Sequence, residues 1–264
     1  MLELNCVSAG YDGTKVLHHI SFTLPRGENL CVLGPNGCGK TTLIRAIAAL
    51  IPFEGSITLD GQNICRLKRR EIASRIAVMS QIPSLYFSYT IYDTVMLGRY
   101  HRIKSSFLGK PEKEDREVVE RCLATTGLLD LAKRELSTLS GGQLQRVFLA
   151  QTLAQDPQII LLDEPTNHLD MKHQIELVSY LRQWSCEAGH TVIGVLHDIN
   201  LALRLTDHVL FLKDGRIAGM GRAEEIMTRP FLQQVYDMDV WQYMHESYQQ
   251  WAQMGNAEDG LKGL

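Results

Sequence analysis

The chain moves between two hydrophobic periods, and the changes of period mark out its elements. Near the start the period is two: Leu2, Leu4 and Cys6 alternate with polar residues, as in a half-buried strand. Asp12-Gly13 marks a tight turn; Val16-Leu17 and Ile20-Ser21-Phe22-Thr23-Leu24 predict further strands before a second turn at Pro25-Arg26-Gly27. Asn29-Leu30-Cys31-Val32-Leu33 reads as a buried strand, and residues 43–50 carry apolar side chains at helical spacing. Residues 55–61 alternate and turn at Asp60-Gly61, and Ile76-Ala77-Val78-Met79 is another buried strand. Between them, the basic residues 66–70 predict the solvated face of a short helix. From residue 87 the pattern becomes helical and charged. One helix starts at Thr90, and another opens at residues 110–116 with Pro111 and acids in its first turn. Ile159-Ile160-Leu161-Leu162 predicts a strand buried on both faces. A helix over 170–187 follows, with Ile175, Val178 and Leu181 on one face and Gly189 near its end. Residues 191–196 predict a buried strand, residues 207–216 a strand turning at Asp214-Gly215, and residues from 223 an amphipathic helical tail that frays from Gly255.

This order predicts one α/β domain. Residues 1–86 and 159–228 form the core with a β subdomain, 87–158 an inserted helical subdomain, and 229–264 a C-terminal helical tail. The composition is ordinary for a globular chain, with 45% hydrophobic and 22% charged residues in 264. A net charge of −3 gives no basic field, so nucleic acid is not an expected partner. No apolar run approaches the roughly 20 residues of a membrane span, and the N-terminus lacks a signal peptide's basic start and apolar core. The six cysteines (Cys6, Cys31, Cys38, Cys65, Cys122 and Cys186) contain no C-x-x-C pair, which suggests reduced thiols in cytoplasm. Any membrane role must then come through a partner.

The chemistry centres on Gly34-Pro35-Asn36-Gly37-Cys38-Gly39-Lys40-Thr41-Thr42, which fits G-x-x-x-x-G-K-[ST] between a strand end and a helix start. Its glycines let backbone N–H groups face an anion, and the helix N-terminus adds partial positive charge. Lys40 would reach the β- and γ-phosphates, and the Thr41 hydroxyl would ligate Mg²⁺. Asp163 and Glu164 end a fully apolar strand, where acids are costly unless they face metal or solvent. Asp163 would hold Mg²⁺, and Glu164 could orient or deprotonate water. Other residues remain open. Tyr11 is a strand-end tyrosine or a stacking platform for a base. Gln81 and His197 follow strand ends, where α/β sheets place ligand groups, or are structural. Ser140-Gly141-Gly142 at a helix start is a second phosphate contact or an ordinary cap.

Together these pieces resemble the ATP-binding subunits of ABC transporters, from Tyr11 to about residue 228. The resemblance rests on residues 34–42 (Walker A), Gln81 (Q-loop), Leu139-Ser140-Gly141-Gly142-Gln143 (signature), residues 159–164 (Walker B), residues 165–170 with the D-loop, and His197 (switch histidine). It implies a P-loop NTPase (RecA-like) core with an antiparallel β subdomain and an inserted helical subdomain. It also implies ATP contacts from Tyr11, Val16, residues 34–42 and residues 140–143, Mg²⁺ held by Thr41, Gln81 and Asp163, and catalysis by Lys40, Gln81, Glu164 and His197. The signature of one subunit would close over the ATP of another in a head-to-tail homodimer, with Asp170 at the dimer contact. The subunit would sit on the cytoplasmic face of the membrane, on integral permease subunits served by an extracytoplasmic substrate-binding protein.

A finer resemblance, carried by residues 97–101, 167–174 and 196–202, is to importers of metal chelates: iron–siderophore, haem and cobalamin, with molybdate relatives. Gln143-Leu144 departs mildly from the Glu that many of these importers carry after Ser-Gly-Gly. The rival is a non-transport ATP switch acting on a soluble macromolecular partner. Such relatives usually carry two ATP modules or a long coiled coil, and this chain has one module and no such coil. The Gln-, Tyr- and Trp-rich tail beyond about residue 230 matches no motif.

Overall fold

The computed structural model describes residues 1–80, 89–102, 111–166, 169–186 and 189–258. The chain opens with the hairpin β1 (Leu2–Tyr11) and β2 (Thr14–Leu24). Strand β3 (Leu30–Leu33) runs into the loop of residues 34–39 and helix α1 (Lys40–Ile47). Strands β4 (Phe53–Leu59) and β5 (Gln62–Asn63), short helix α2 (Arg69–Ala73) and strand β6 (Ile76–Met79) follow. Helices α3 (Ile91–Leu97), α4 (Lys113–Thr125) and α5 (Gly141–Ala154) come next. The chain returns to alternation with β7 (Ile159–Asp163), α6 (Met171–Cys186), β8 (Thr191–Val195), α7 (Ile199–Leu205) and the hairpin β9 (His208–Lys213) and β10 (Arg216–Arg222). Helices α8 (Ala223–Ile226), α9 (Arg229–Tyr236) and α10 (Val240–Glu258) close it.

The described strands form two sheets. One is antiparallel, in the order β2-β1-β4-β5; the other runs β10-β9-β3-β8-β7-β6 and is parallel from β9 to β6. β3 sits between β8 and β9, strands that come far later in the chain. Every residue of β3, β7 and β8 is buried, as expected of strands covered on both faces. On one face Leu43, Ile44 and Ile47 of α1 pack into a core shared with the antiparallel sheet; on the other, α5, α6, α7 and α9 cover the strands. The parallel strands therefore deliver their carboxyl ends, with residues 34, 163 and 196, to one edge of the sheet. In open α/β sheets that edge is where ligands bind.

The helical insertion has its own core of Ile91, Val95, Val119, Leu123, Leu136 and Val147. Gly98 permits its close packing, because a Cβ there would stand 2.3 Å from the Gln151 carbonyl oxygen. Next to it Arg99, only 1% exposed, donates from Nε to Asp115 Oδ1 at 3.0 Å and from Nη1 to the Ala154 carbonyl at 3.0 Å. The lobe joins the core through main-chain acceptors: Gln155 Nε2 donates to Ala73 O and Ile76 O, and Arg70 Nε to His101 O.

Two sequence expectations need correction. Helix α4 begins at Lys113, so Pro111 lies outside its first turn. Asp115 sets that start: its Oδ2 accepts the Glu112 N–H at 3.0 Å, and its other oxygen holds Arg99. Helix α10 also runs through Gly255 to Glu258 instead of fraying there. A glycine costs about 1 kcal/mol inside a helix, an amount that neighbouring helix formers such as Ala252, Met254 and Ala257 offset.

Replacing Arg99 by Ala strands a buried carboxylate, which should cost about 3–5 kcal/mol. Urea unfolding of Arg99→Ala checks this, and a midpoint equal to wild type would refute it.

Candidate functional site

Helix α1 begins at a glycine because nothing else fits. Gly39 is its N-cap at φ 105°, and a Cβ there would lie 2.7 Å from Leu17 Cδ2. Gly34, at φ 140°, would set a Cβ 2.1 Å from the Leu212 carbonyl oxygen. Residues with side chains are strained at such angles. The first turn of α1 holds no acid, so its positive end faces the loop unopposed. Buried Lys40 folds back over that loop, and its Nζ donates to Gly34 O at 2.9 Å and Pro35 O at 2.8 Å. Cys38 is also buried; burial pushes its thiol up, with the Lys40 charge opposing.

Two later strands close the site. Asp163, the last residue of β7, accepts a hydrogen bond from Thr41 Oγ1 at 2.7 Å. Burial raises the pKa of its carboxyl, the Thr41 bond works against that, and the neighbouring Glu164 adds to it. Glu164 stands at φ 54°, a left-handed conformation that costs a non-glycine residue about 1–2 kcal/mol. Its N–H bonds to Val195 O, and its Oε1 lies 2.7 Å from His197 Nε2. A carboxylate only accepts, so in this pair the imidazole proton is on Nε2.

Val16, Asn36, Gly37, Gly39, Lys40, Thr41, Thr42, Glu164 and His197 line one open cavity of about 340 Å³. The loop, an ammonium and a helix N-terminus suit a polyphosphate. The hydroxyl and carboxylate oxygens of Thr41 and Asp163 are hard donors of the kind Mg²⁺ takes. The described residues thus fit both groups.

The remaining candidates lie elsewhere. Gly34, Pro35 and Cys38 shape the loop without lining the cavity. Tyr11 is 38% exposed, and its hydroxyl accepts from Arg45 Nη1 at 3.2 Å. Ser140 caps α5: its Oγ accepts the Gln143 N–H at 3.3 Å, and Gln143 Oε1 accepts the Ser140 N–H at 3.1 Å. Residues 140–143 do not line the cavity, so a single chain does not bring the two glycine segments together. Asp170 is exposed and bonds His173. Gln81 lies outside the described residues.

Three neighbours of the loop escaped the sequence reading. Arg45 partners Tyr11. Gly215 donates to the Cys38 carbonyl, an unread role for the predicted Asp214-Gly215 turn. Tyr236, from the unassigned tail, sits against Gly34; burial pushes its phenol up to about 12, against a hydrogen bond with the Gly34 backbone.

The raised Asp163 pKa has a checkable sign. A raised carboxyl favours its protonated form in the folded state. Its ionisation therefore weakens folding as pH rises, and Asn, which cannot ionise, avoids that loss. Nucleotide-free Asp163→Asn should melt above wild type at pH 7–8, and the gap should shrink toward pH 4–5. Melting curves across that range test it; a pH-independent gap would count against it.

The chain matches the ABC transporter family over residues 17–167. It is 43% identical over 239 residues to the Probable siderophore transport system ATP-binding protein YusV of Bacillus subtilis (strain 168), covering 90% of this chain and 86% of that one. It is 37% identical over 233 residues to the Ferric enterobactin transport ATP-binding protein FepC of Escherichia coli (strain K12), covering 88% and 85%. Among solved structures, an inward-facing transporter assigned to the metal-chelate type superposes with a TM-score of 0.78 at 29% identity, covering 90% of this chain and 89% of that one. With a cavity that fits a nucleotide's phosphates built on this α/β core, the chain belongs to the ABC transporter family and is an ATP-binding subunit, an ATPase with the P-loop NTPase fold.

Proposed function

We propose that this chain is the motor subunit of an importer for a metal chelate, an iron–siderophore complex first and haem, cobalamin or molybdate as relatives of that chemistry. The observation that carries the motor reading is the shared cavity of Lys40, Thr41, Glu164 and His197 at the sheet edge. The siderophore and enterobactin systems named for YusV and FepC support the cargo class. Among the described residues no helix is long and apolar enough to cross a membrane. The subunit would therefore work at the inner membrane surface, bound to permease subunits that take cargo from an extracytoplasmic binding protein.

In this reading two copies face each other head to tail. ATP lies on residues 34–42 of one copy, with Tyr11 and Val16 at the base and ribose side, and is covered by residues 140–143 of the other; Asp170 lies at the contact. Lys40 exchanges the Gly34 and Pro35 carbonyls for phosphate oxygens. Thr41, Asp163 and Gln81 would hold Mg²⁺, which supplies charge neutralisation at the phosphates. His197 leaves Glu164 for the γ-phosphate, and Glu164 then accepts the proton of the attacking water. Most of the rate comes from positioning and from fixed donors aimed at developing charge.

Glu164→Gln should keep ATP binding and ATP-driven dimerisation while turnover falls about 10²–10⁴-fold, the range for a lost general base. Unchanged turnover would remove Glu164 from that role. Lys40→Ala should lose ATP affinity, and a nucleotide titration matching wild type would contradict the assignment. For the cargo, the tagged subunit is purified from gently solubilised membranes of its native cells. Recovery with a many-span permease and a chelate-binding protein is expected; recovery only in the soluble fraction with ribosomes or DNA would sink the transport reading.

A further inference from the structure

The first turns of α5 and α6 meet beside the segment that follows β7. Gln145 Nε2 of α5 donates to Pro165 O at 2.8 Å, and Gln174 Nε2 of α6 donates to Thr166 O at 3.1 Å. One side chain spans the remaining gap. His173, in the first turn of α6, donates twice to Asp170 Oδ1: at 2.7 Å from its Nδ1 and at 3.0 Å from its main-chain N–H. Its far ring edge lies against Gly142. A Cβ on Gly142 would be 2.7 Å from His173 Nε2 and 2.8 Å from Cδ2 and Cε1. The imidazole therefore occupies the space beside position 142, and any side chain there would displace the ring.

Packing does not force the ring into that place. Behind it lies a cavity of about 120 Å³, bounded by Leu149, Leu177 and Tyr180 as well as by His173 and Gly142. The ring has room to swing away from Gly142, and the Asp170 bond is what holds it. Asp170 is exposed at 66% and the His173 side chain is a third exposed at 32%, so the pair's contribution to fold stability is small. Its consequence is geometric: it fixes the distance between the Ser140-Gly141-Gly142 turn and the Asp170 turn.

We propose that His173 is a positioning residue that sets the Ser140-Gly141-Gly142 turn and the Asp170 turn in register, so that both meet the opposing subunit at once. This rests on the head-to-tail closure proposed above. Both segments face the other copy in that closure. A subunit that presents one correctly and the other displaced closes poorly, although its own phosphate loop is intact.

The test uses the full-length chain carrying Glu164→Gln, in which ATP-driven dimers should persist. Sedimentation velocity with ATP and Mg²⁺ gives the dimer dissociation constant, and melting and nucleotide titration are run beside it. Adding His173→Ala should raise that constant about tenfold, the size of one contact-pair coupling. Melting temperature and ATP affinity of the single subunit should stay at the parent's values. His173→Asn keeps an amide donor for Asp170 but has no ring to reach Gly142, so it should recover little of the loss. An unchanged dimer constant in His173→Ala overturns the proposal. So does a parallel fall in melting temperature and ATP affinity, which marks a structural role, or full recovery by Asn, which would place the effect in the Asp170 bond alone. No ATP-driven dimer in the Glu164→Gln parent overturns the closure reading, and this inference with it.

Discussion

A buried ammonium decides the shape of this site. Lys40 is removed from water at the start of α1, and a lone charge there would be untenable. The Gly34 and Pro35 carbonyls satisfy it, and in doing so they hold residues 34–39 curled. Those carbonyls reach it only because Gly34 lies against the Leu212 carbonyl oxygen, an approach no side chain allows. The hairpin turn at Gly215 and the tail residue Tyr236 brace the same loop from outside. An anion offers Lys40 a stronger partner than a neutral carbonyl, because it adds the attraction of opposite charges to the hydrogen bond. The loop is therefore held in shape by a contact that phosphate can replace.

The carboxylates across the cavity sit in opposition to folding. Asp163 is buried and its pKa rises; Glu164 is held in a conformation unusual for its type. Asp163 ends β7 and Glu164 follows it, and the strand's apolar residues are wholly buried beside β6 and β8. A buried aliphatic side chain contributes about 1.5–3 kcal/mol, so the four residues Ile159, Ile160, Leu161 and Leu162 outweigh the strain at the strand's end. This separation has a functional reason. Both acids already hold protein partners, Asp163 in the Thr41 hydroxyl and Glu164 in His197, and these are contacts that a cation or a water entering the cavity can replace.

How much of this was legible in the sequence depends on the range of the interaction. The phosphate loop was legible because its chemistry is local: a strand, glycines at fixed spacing, a lysine and a helix lie within twenty residues. The α/β class was legible from the apolar runs, and β7 from its four unbroken aliphatic residues. The strand order was not. Placing β3 between β8 and β9 depends on packing between segments more than 150 residues apart, and no periodicity reports it. The partners of Tyr11 and Gly34 were hidden for the same reason, since Arg45 lies one helix away and Tyr236 about 200 residues away. The start of α4 was misread because Pro111 is a local signal, while the buried Arg99–Asp115 pair that overrides it is a contact within the folded lobe.

Ser140-Gly141-Gly142 had two readings, cap and phosphate contact, and the helix end shows why they need not compete. The first four N–H groups of a helix have no intrahelical acceptor. At α5 the Ser140–Gln143 exchange satisfies the N–H groups of these two residues, and the first helical bond runs from Leu144 N to Ser140 O. Gly141 and Gly142 remain, with no carbonyl four residues back inside the helix and no acid in the first turn to repel an anion. Capping holds the end rigid and leaves those two donors at its tip. The residues that make the turn a good cap are the ones that leave it able to meet a phosphate.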